Sequence, residues 1–293
     1  MNKQVQKQGD DSEARSAGRE ILEVAIEAAG TGAAVLLEAW HGAGAEGRLR
    51  VERKALNDLV SQADRDSETA ILEVIRSRFP DHRIVAEEGG GSGQNRTADY
   101  EWLCDPLDGT TNFLERLPIW CVSIACRHRG ELIAGVVMDP LRGEVFAASR
   151  GGGATRNGVP MRVSGKTNAG DAFLSTGFPF RAHAAIDLYL AVFRDVFLGA
   201  RAIRRCGAAA LDLAHVAAGI YDGFFELRLS SWDVAAGAIL IEEAGGVVTD
   251  WDGNAGYVAS GNIIAGSPAV HAALLGWARR HGSERAIAEL VPE

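Results

Sequence analysis

The chain has 293 residues, 47% hydrophobic and 24% charged, the composition of a globular protein large enough to bury a core without disulfides. Its formal net charge of −9 leaves no basic footprint, so no direct nucleic-acid binding is expected. No apolar run approaches the roughly 18 residues of a membrane span, and no membrane association is expected.

The first stretch, MNKQVQKQGDDSEARSAG, has no apolar centre, and residues 1–11 read as a disordered tail. From Ser12 to about Trp40, the residues Leu22, Ile26, Ala29, Ala33, Leu36 and Leu37 recur at helical spacing, and the glycine-rich HGAGAEG ends that helix. A second helix is predicted from Arg65 to Phe79, with Asp66 and Glu68 favouring its first turn and Pro80 closing it. The runs RIVAEE, YEWLCD, WCVSIACRH, ELIAGVVMD and GEVFAAS then read as strands. Short turn signals join the last three into an antiparallel meander, and Asn157-Gly158 marks a hairpin.

Beyond about residue 165 strands and helices alternate. AFLSTGF, RAIRRC, DGFFELRL, GVVTD and NIIAG read as strands. DLYLAVFRDVF, AAALDLAHVAAG, DVAAGAILIEEAG and a final PAVHAALLGWARRH read as helices. Such alternation predicts a mixed or parallel sheet with helices on its faces. The expected organisation is therefore an α+β part over 12–165 on an antiparallel sheet and an α/β part over 166–293 on a mixed sheet. Cys104, Cys121, Cys126 and Cys206 form no CxxC pair, and they read as reduced, buried thiols of a cytoplasmic protein.

Three groups of acids sit where apolar strands end or an apolar helix begins. They are Glu87-Glu88 after RIVA, Asp105 and Asp108 in CDPLDGTTNF, and Asp233 after Trp232. Singly each has an ordinary explanation: a loop, an Asp-Pro turn, a helix N-cap. Converged, they would repel one another by several kcal/mol at low effective dielectric, and a hard divalent cation removes that repulsion. Oxygen donors without a His/Cys cluster fit magnesium better than zinc. On this reading Asp105 and Asp108 point into a metal loop stiffened by Pro106, and Gly109 lets backbone amides approach a phosphate. The Thr110 hydroxyl would orient a water, given an acceptor. Asp64 is one candidate acceptor and fits a helix cap equally well.

EEG at 87–89, DPLDGTTNF at 105–113 and WDVAAGAILIEEAGG at 232–246 resemble the signature segments of the inositol monophosphatase family. KxxxDLVSxxD at 54–64 and GAAALDLAHVAAG at 207–219 fit as well, so the resemblance runs over roughly residues 20–280. It implies a magnesium-dependent, lithium-sensitive phosphomonoesterase with a layered αβαβα sandwich, commonly a homodimer. It also implies two to three Mg2+ ions per site. Glu87, Asp105 and the Leu107 carbonyl would hold the first, Asp105, Asp108 and Asp233 the second, and Glu87 with waters a weaker third. Asp64 and Thr110 would polarise the nucleophilic water. The Gly109 and Thr110 amides would cradle the phosphate, and Asp233 would lie near the leaving oxygen.

Substrates in this superfamily include inositol phosphates, histidinol phosphate, fructose bisphosphate and phosphoadenosine phosphate. GTTNF resembles the inositol branch, and Glu226, seven residues before Asp233, matches the acid that accepts ring hydroxyls. Gly207, Ala208 and Ala209 match its other substrate-binding positions, but Ala208 stands where the family often has Ser or Thr. The expected reaction is hydrolysis of inositol 1-phosphate. The alternatives are a histidinol-phosphate or other sugar-phosphate phosphatase, and a regulatory interaction protein of the transcription machinery.

Overall fold

The computed structural model describes residues 2–42, 51–55, 58–89, 97–180 and 182–290. Helix α1 (Asn2–Gly42) begins at once, so the segment expected to be a disordered tail is helical. Gln and Lys recur in its first residues and no proline interrupts the helix, which is compatible with helix. Most of HGAGAEG lies outside the described residues, as do Leu56 and Asn57 of the DLVS motif. On either side of those two stand strands β1 (Val51–Ala55) and β2 (Asp58–Ser61), an antiparallel pair not anticipated from sequence. Helix α2 (Gln62–Arg78) starts three residues earlier than expected. Asp64 therefore lies within its first turn, and Glu68 does not.

Next come β3 (Arg83–Ala86), β4 (Tyr100–Asp108), the short helix α3 (Thr110–Leu114), β5 (Cys121–His128), β6 (Glu131–Asp139), β7 (Glu144–Ser149), β8 (Gly153–Arg156) and β9 (Val159–Pro160). These seven strands form one sheet in sequence order, parallel only between β3 and β4. Asn157-Gly158 joins β8 to β9 with both φ angles positive, as the hairpin signal required.

The rest of the chain supplies β10 (Phe173–Thr176), α4 (Ile186–Gly199), β11 (Ala202–Arg204), α5 (Ala209–Ala217), β12 (Gly223–Glu226), α6 (Ser231–Glu243), β13 (Val247–Thr249), α7 (Tyr257–Ser260), β14 (Ile263–Gly266), α8 (Pro268–Ala278) and α9 (Glu284–Leu290). The five strands run in the order β11-β10-β12-β14-β13, with β10 parallel to both neighbours and β14 antiparallel to both of its own. The helix expected to be final is followed by α9. At only two turns it is too short to show a period, and it is started by Ser283, whose hydroxyl accepts the Ala286 amide (3.3 Å).

Side-chain alternation builds five layers. On β5, Val122, Ile124 and Cys126 join the core beneath α1 and α2, while Cys121 and Ala125 join the core around α5 and α6. On β12, Phe224 faces that same middle layer, and Phe225 faces a third core beneath α4 and α8. The order is thus helices, seven-stranded sheet, α5 and α6, five-stranded sheet, helices: an αβαβα sandwich. Helix α6 is buried all round from Asp233 to Ile241, as a helix between two sheets must be. Cys104, Cys121 and Cys126 are buried, and burial pushes their thiols up, while Cys206 is half-buried against the Tyr221 hydroxyl (3.3 Å). Among the described residues no helix is long and apolar enough to cross a membrane.

Candidate active site

The layering brings the C-terminal ends of β4 and β12 together with the N-termini of α3, α5 and α6. There a cleft of about 790 Å3 opens, lined by Glu87, Asp105, Leu107, Asp108, Gly109, Thr110, Gly207, Ala208, Ala209, Glu226 and Asp233 among others. Of the residues singled out in the sequence, Asp64, Glu88 and Pro106 do not line it. Asp64 is buried in the first turn of α2, and its Oδ1 accepts the Thr110 hydroxyl at 3.3 Å. The same hydroxyl lies 3.1 Å from the Leu107 carbonyl.

The β4 strand breaks register with β5 between Asp105 and Asp108, and this irregularity turns both acids toward the cleft. Gly109 follows in the left-handed region (φ 92°). A Cβ there would approach the Ile119 carbonyl oxygen to 3.0 Å and the Ala208 methyl to 3.3 Å, so any other residue would be strained and crowded. The Asn112 side chain ties the loop across the cleft by donating to the Ile119 (2.8 Å) and Cys206 (2.9 Å) carbonyls.

The carboxylates are held by backbone amides. Asp105 Oδ1 accepts Leu107 N–H (2.9 Å), and Asp233 Oδ2 accepts Ser230 N–H (2.7 Å). Asp108 caps α5, accepting Ala209 N–H (3.2 Å) and Ala210 N–H (2.8 Å). The Ala209 amide is therefore engaged by Asp108. Among the described residues no three Asp, Glu, His or Cys side chains stand in ready coordinating geometry. Even so, their charges meet. Burial, then the charges of Glu87, Asp108 and Asp233, hold Asp105 well above the usual carboxylate range, and its carboxyl hydrogen-bonds Glu87. Burial and the Asp233 charge push Asp108 up to about 7.

Two buried carboxyls that touch need a proton or a cation between them. An all-oxygen donor set without imidazole or thiolate suits a hard divalent ion, and magnesium fits. A carboxyl with a raised folded pKa binds its proton more tightly folded than unfolded. Asp108 thus contributes stability at low pH that is lost as pH rises from about 4 to about 7. Magnesium would restore it. Magnesium is expected to raise the melting temperature of chelator-treated protein, and by more at pH 7.5 than at pH 5, where protons compete for the carboxylates. A melting temperature indifferent to magnesium at pH 7.5 would contradict the fit.

The cleft also contains residues the sequence reading did not single out. Asp212 lies four residues past Ala208 on the same face of α5, 2% exposed, its carboxyl raised by burial and by Asp108. That i, i+4 spacing was the available signal. The Arg205 guanidinium stands 5.6 Å from the Phe178 ring centroid and 5.3 Å from that of Phe180, at the cleft mouth. Nothing in RRCG or TGFPF alone places those rings and that cation together.

The family model described as the inositol monophosphatase family matches residues 18–283. A protein of Pseudomonas aeruginosa named Nus factor SuhB is 49% identical over 232 residues, 78% of this chain and 85% of that protein. The crystal structure of extragenic suppressor protein suhB from Bartonella henselae superposes with a TM-score of 0.84 at 37% identity, covering 89% of this chain and 99% of that one. The inositol monophosphatase from Anabaena (Nostoc) superposes with a TM-score of 0.79 at 39% identity, covering 90% and 97%.

Proposed function

The chain belongs to the inositol monophosphatase family, and from that premise we propose that it is a magnesium-dependent phosphomonoesterase acting on inositol 1-phosphate. The observation that carries this reading is the Thr110–Asp64 hydrogen bond beside the carboxylates of Glu87, Asp105, Asp108 and Asp233. Glu87, Asp105 and the Leu107 carbonyl would hold one magnesium ion, and Asp105, Asp108 and Asp233 a second. Bound there, magnesium supplies a more acidic water and neutralises charge on the phosphoryl group.

The chain's own residues do the rest. Thr110 donates its hydroxyl proton to Asp64, which leaves its oxygen lone pairs free to accept from the attacking water. As the water attacks phosphorus, its proton passes to Thr110 and the threonine proton to Asp64. Asp233, in the first turn of α6, would lie near the leaving oxygen. The same reading makes the protein a lithium-sensitive, cytoplasmic homodimer, with the exposed Leu190, Phe197 and Leu198 of α4 offering an apolar face to a second copy.

Glu226 supports a polyol substrate. It ends β12 inside the cleft, 7% exposed, and burial drives its carboxyl up. Ala208, 1% exposed and also in the lining, offers no hydroxyl, so Glu226 would carry more of the recognition. The test is a panel of phosphomonoesters assayed with magnesium, including inositol 1-phosphate, histidinol phosphate and p-nitrophenyl phosphate. In Glu226→Gln, the ratio of kcat/KM for inositol 1-phosphate over p-nitrophenyl phosphate should fall about ten- to a hundred-fold, the cost of a poorly satisfied buried group. An unchanged ratio would remove Glu226 from substrate recognition.

The name Nus factor carried by close relatives favours a second reading, a regulatory interaction protein of the transcription machinery. That reading also leaves nucleic-acid contact open despite the acidic charge. The two roles are compatible, since one needs the cleft and the other a surface.

A further inference from the structure

We propose that Glu68 is a positioning residue that sets the first-metal carboxylate Glu87 against Asp105, by holding the backbone of the turn that carries it. The inference rests on reading those carboxylates as cation ligands. It comes from the inward face of α2, where three successive side chains reach three pieces of the cleft. Asp64 accepts from Thr110, Ser67 Oγ donates to the Pro106 carbonyl (3.2 Å), and Glu68 Oε2 accepts the Glu88 amide (2.7 Å). Asp64, Ser67 and Glu68 are at most 3% exposed. One helix face therefore grips β4 just after Asp105 and the chain just after Glu87.

The Glu88 amide needs that partner. In the parallel pair β3–β4, Ala86 lies opposite Cys104, and Glu87 N–H donates to the Cys104 carbonyl (3.2 Å). This rung sets Glu87 beside Asp105. There the ladder stops, because the chain turns and Gly89 N–H bonds back to the Ala86 carbonyl (3.3 Å). The Glu68 carboxylate takes over one residue past the last rung and fixes the peptide plane between Glu87 and Glu88. With the planes on both sides of Glu87 held, the direction in which its Cα–Cβ bond leaves the backbone is set.

Helix α1 presses the clasp into place. A Cβ on Gly32 would meet Ile71 Cδ1 at 2.7 Å and Ser67 Oγ at 2.8 Å, so α2 sits as close to α1 as a glycine permits. A rigid second helix can thus act on a ligand through the backbone that carries it, as partners of metal ligands do.

The test measures Mn2+ affinity of the full chain directly, by calorimetry or by the loss of the free-ion paramagnetic signal, with no substrate present. Glu68→Ala should weaken Mn2+ binding about ten- to a hundred-fold. Glu68→Gln, which keeps an acceptor oxygen at the same reach but not the charge, should stay within about threefold of wild type, since the amide bond is preserved. Glu68→Asp, one methylene short of the amide, should resemble Glu68→Ala and provides the comparison if the alanine variant does not fold. Wild-type affinity in Glu68→Asp or in folded Glu68→Ala overturns the proposal. So does a Glu68→Gln protein as weak as the shortened variants, because charge would then matter in place of the hydrogen bond. Failure to hydrolyse inositol 1-phosphate would touch only the substrate reading, whereas a wild type that binds no Mn2+ overturns both.

Discussion

Asp105→Asn should leave the protein folded and remove the proposed phosphatase activity, lowering kcat/KM by roughly 10^3-fold or more, about 4 kcal/mol of transition-state stabilisation. Fold and function separate at this residue for a physical reason. Asparagine keeps the oxygen that accepts Leu107 N–H, and its amide can still donate to Glu87. It removes a charge that burial and three neighbouring acids already disfavour. The cation-free variant should therefore melt at or above the wild-type temperature, yet show little of the magnesium-induced rise. Near-normal turnover with magnesium would dispose of the metal-loop reading. A variant that unfolds would show that Asp105 is structural.

Thr110→Val should be the second large effect, lowering kcat by roughly 10^2- to 10^4-fold, the usual worth of a positioned proton acceptor. Valine fills the same space without a hydroxyl, so the water loses its acceptor and Asp64 its link to the reaction. Thr110→Ser restores the hydroxyl and should recover most of the rate. Because Thr110 orients a water and holds no cation in this scheme, the magnesium concentration for half-maximal activity should not move. An unaltered kcat, or a loss matched by a shift in magnesium dependence, would assign Thr110 another part.

The main elements of this architecture were legible because their apolar runs are long and bounded by turn signals. The near-continuous apolar runs in WCVSIACRH and ELIAGVVMD, and the longer one in DVAAGAILIEEAG, left little choice about where those segments lie. Not every short element was legible. Helix α9, the α3 turn inside GTTNF and the β1–β2 pair are each too short for a period to emerge, and tertiary contacts decide them.

The same division runs through the site. Asp105, Asp108 and Asp233 stood out because acids rarely end apolar runs without cause. Glu68 looked like an ordinary favourable charge near a helix start. Its amide partner is twenty residues away in sequence, and only the packing of α2 against β3 and β4 reveals it. Arg205, Phe178 and Phe180 illustrate the limit from the other side: three unremarkable residues from two loops become a cleft wall only once the five-stranded sheet sets β10 beside β11.

The all-round burial of α6 has a consequence for how the protein comes apart. Amides in a helix enclosed by two sheets exchange with solvent only when the sheets separate, and that opening is close to global unfolding. Asp233, in the first turn of that helix, is anchored to the last part of the molecule to open. Asp64 belongs to the outer layer and Glu87 follows the edge strand of the larger sheet, where smaller openings cost less. Under mild heat or denaturant, the cleft should therefore lose its walls in order, the α2–β3 side first and the α6 side with the fold itself.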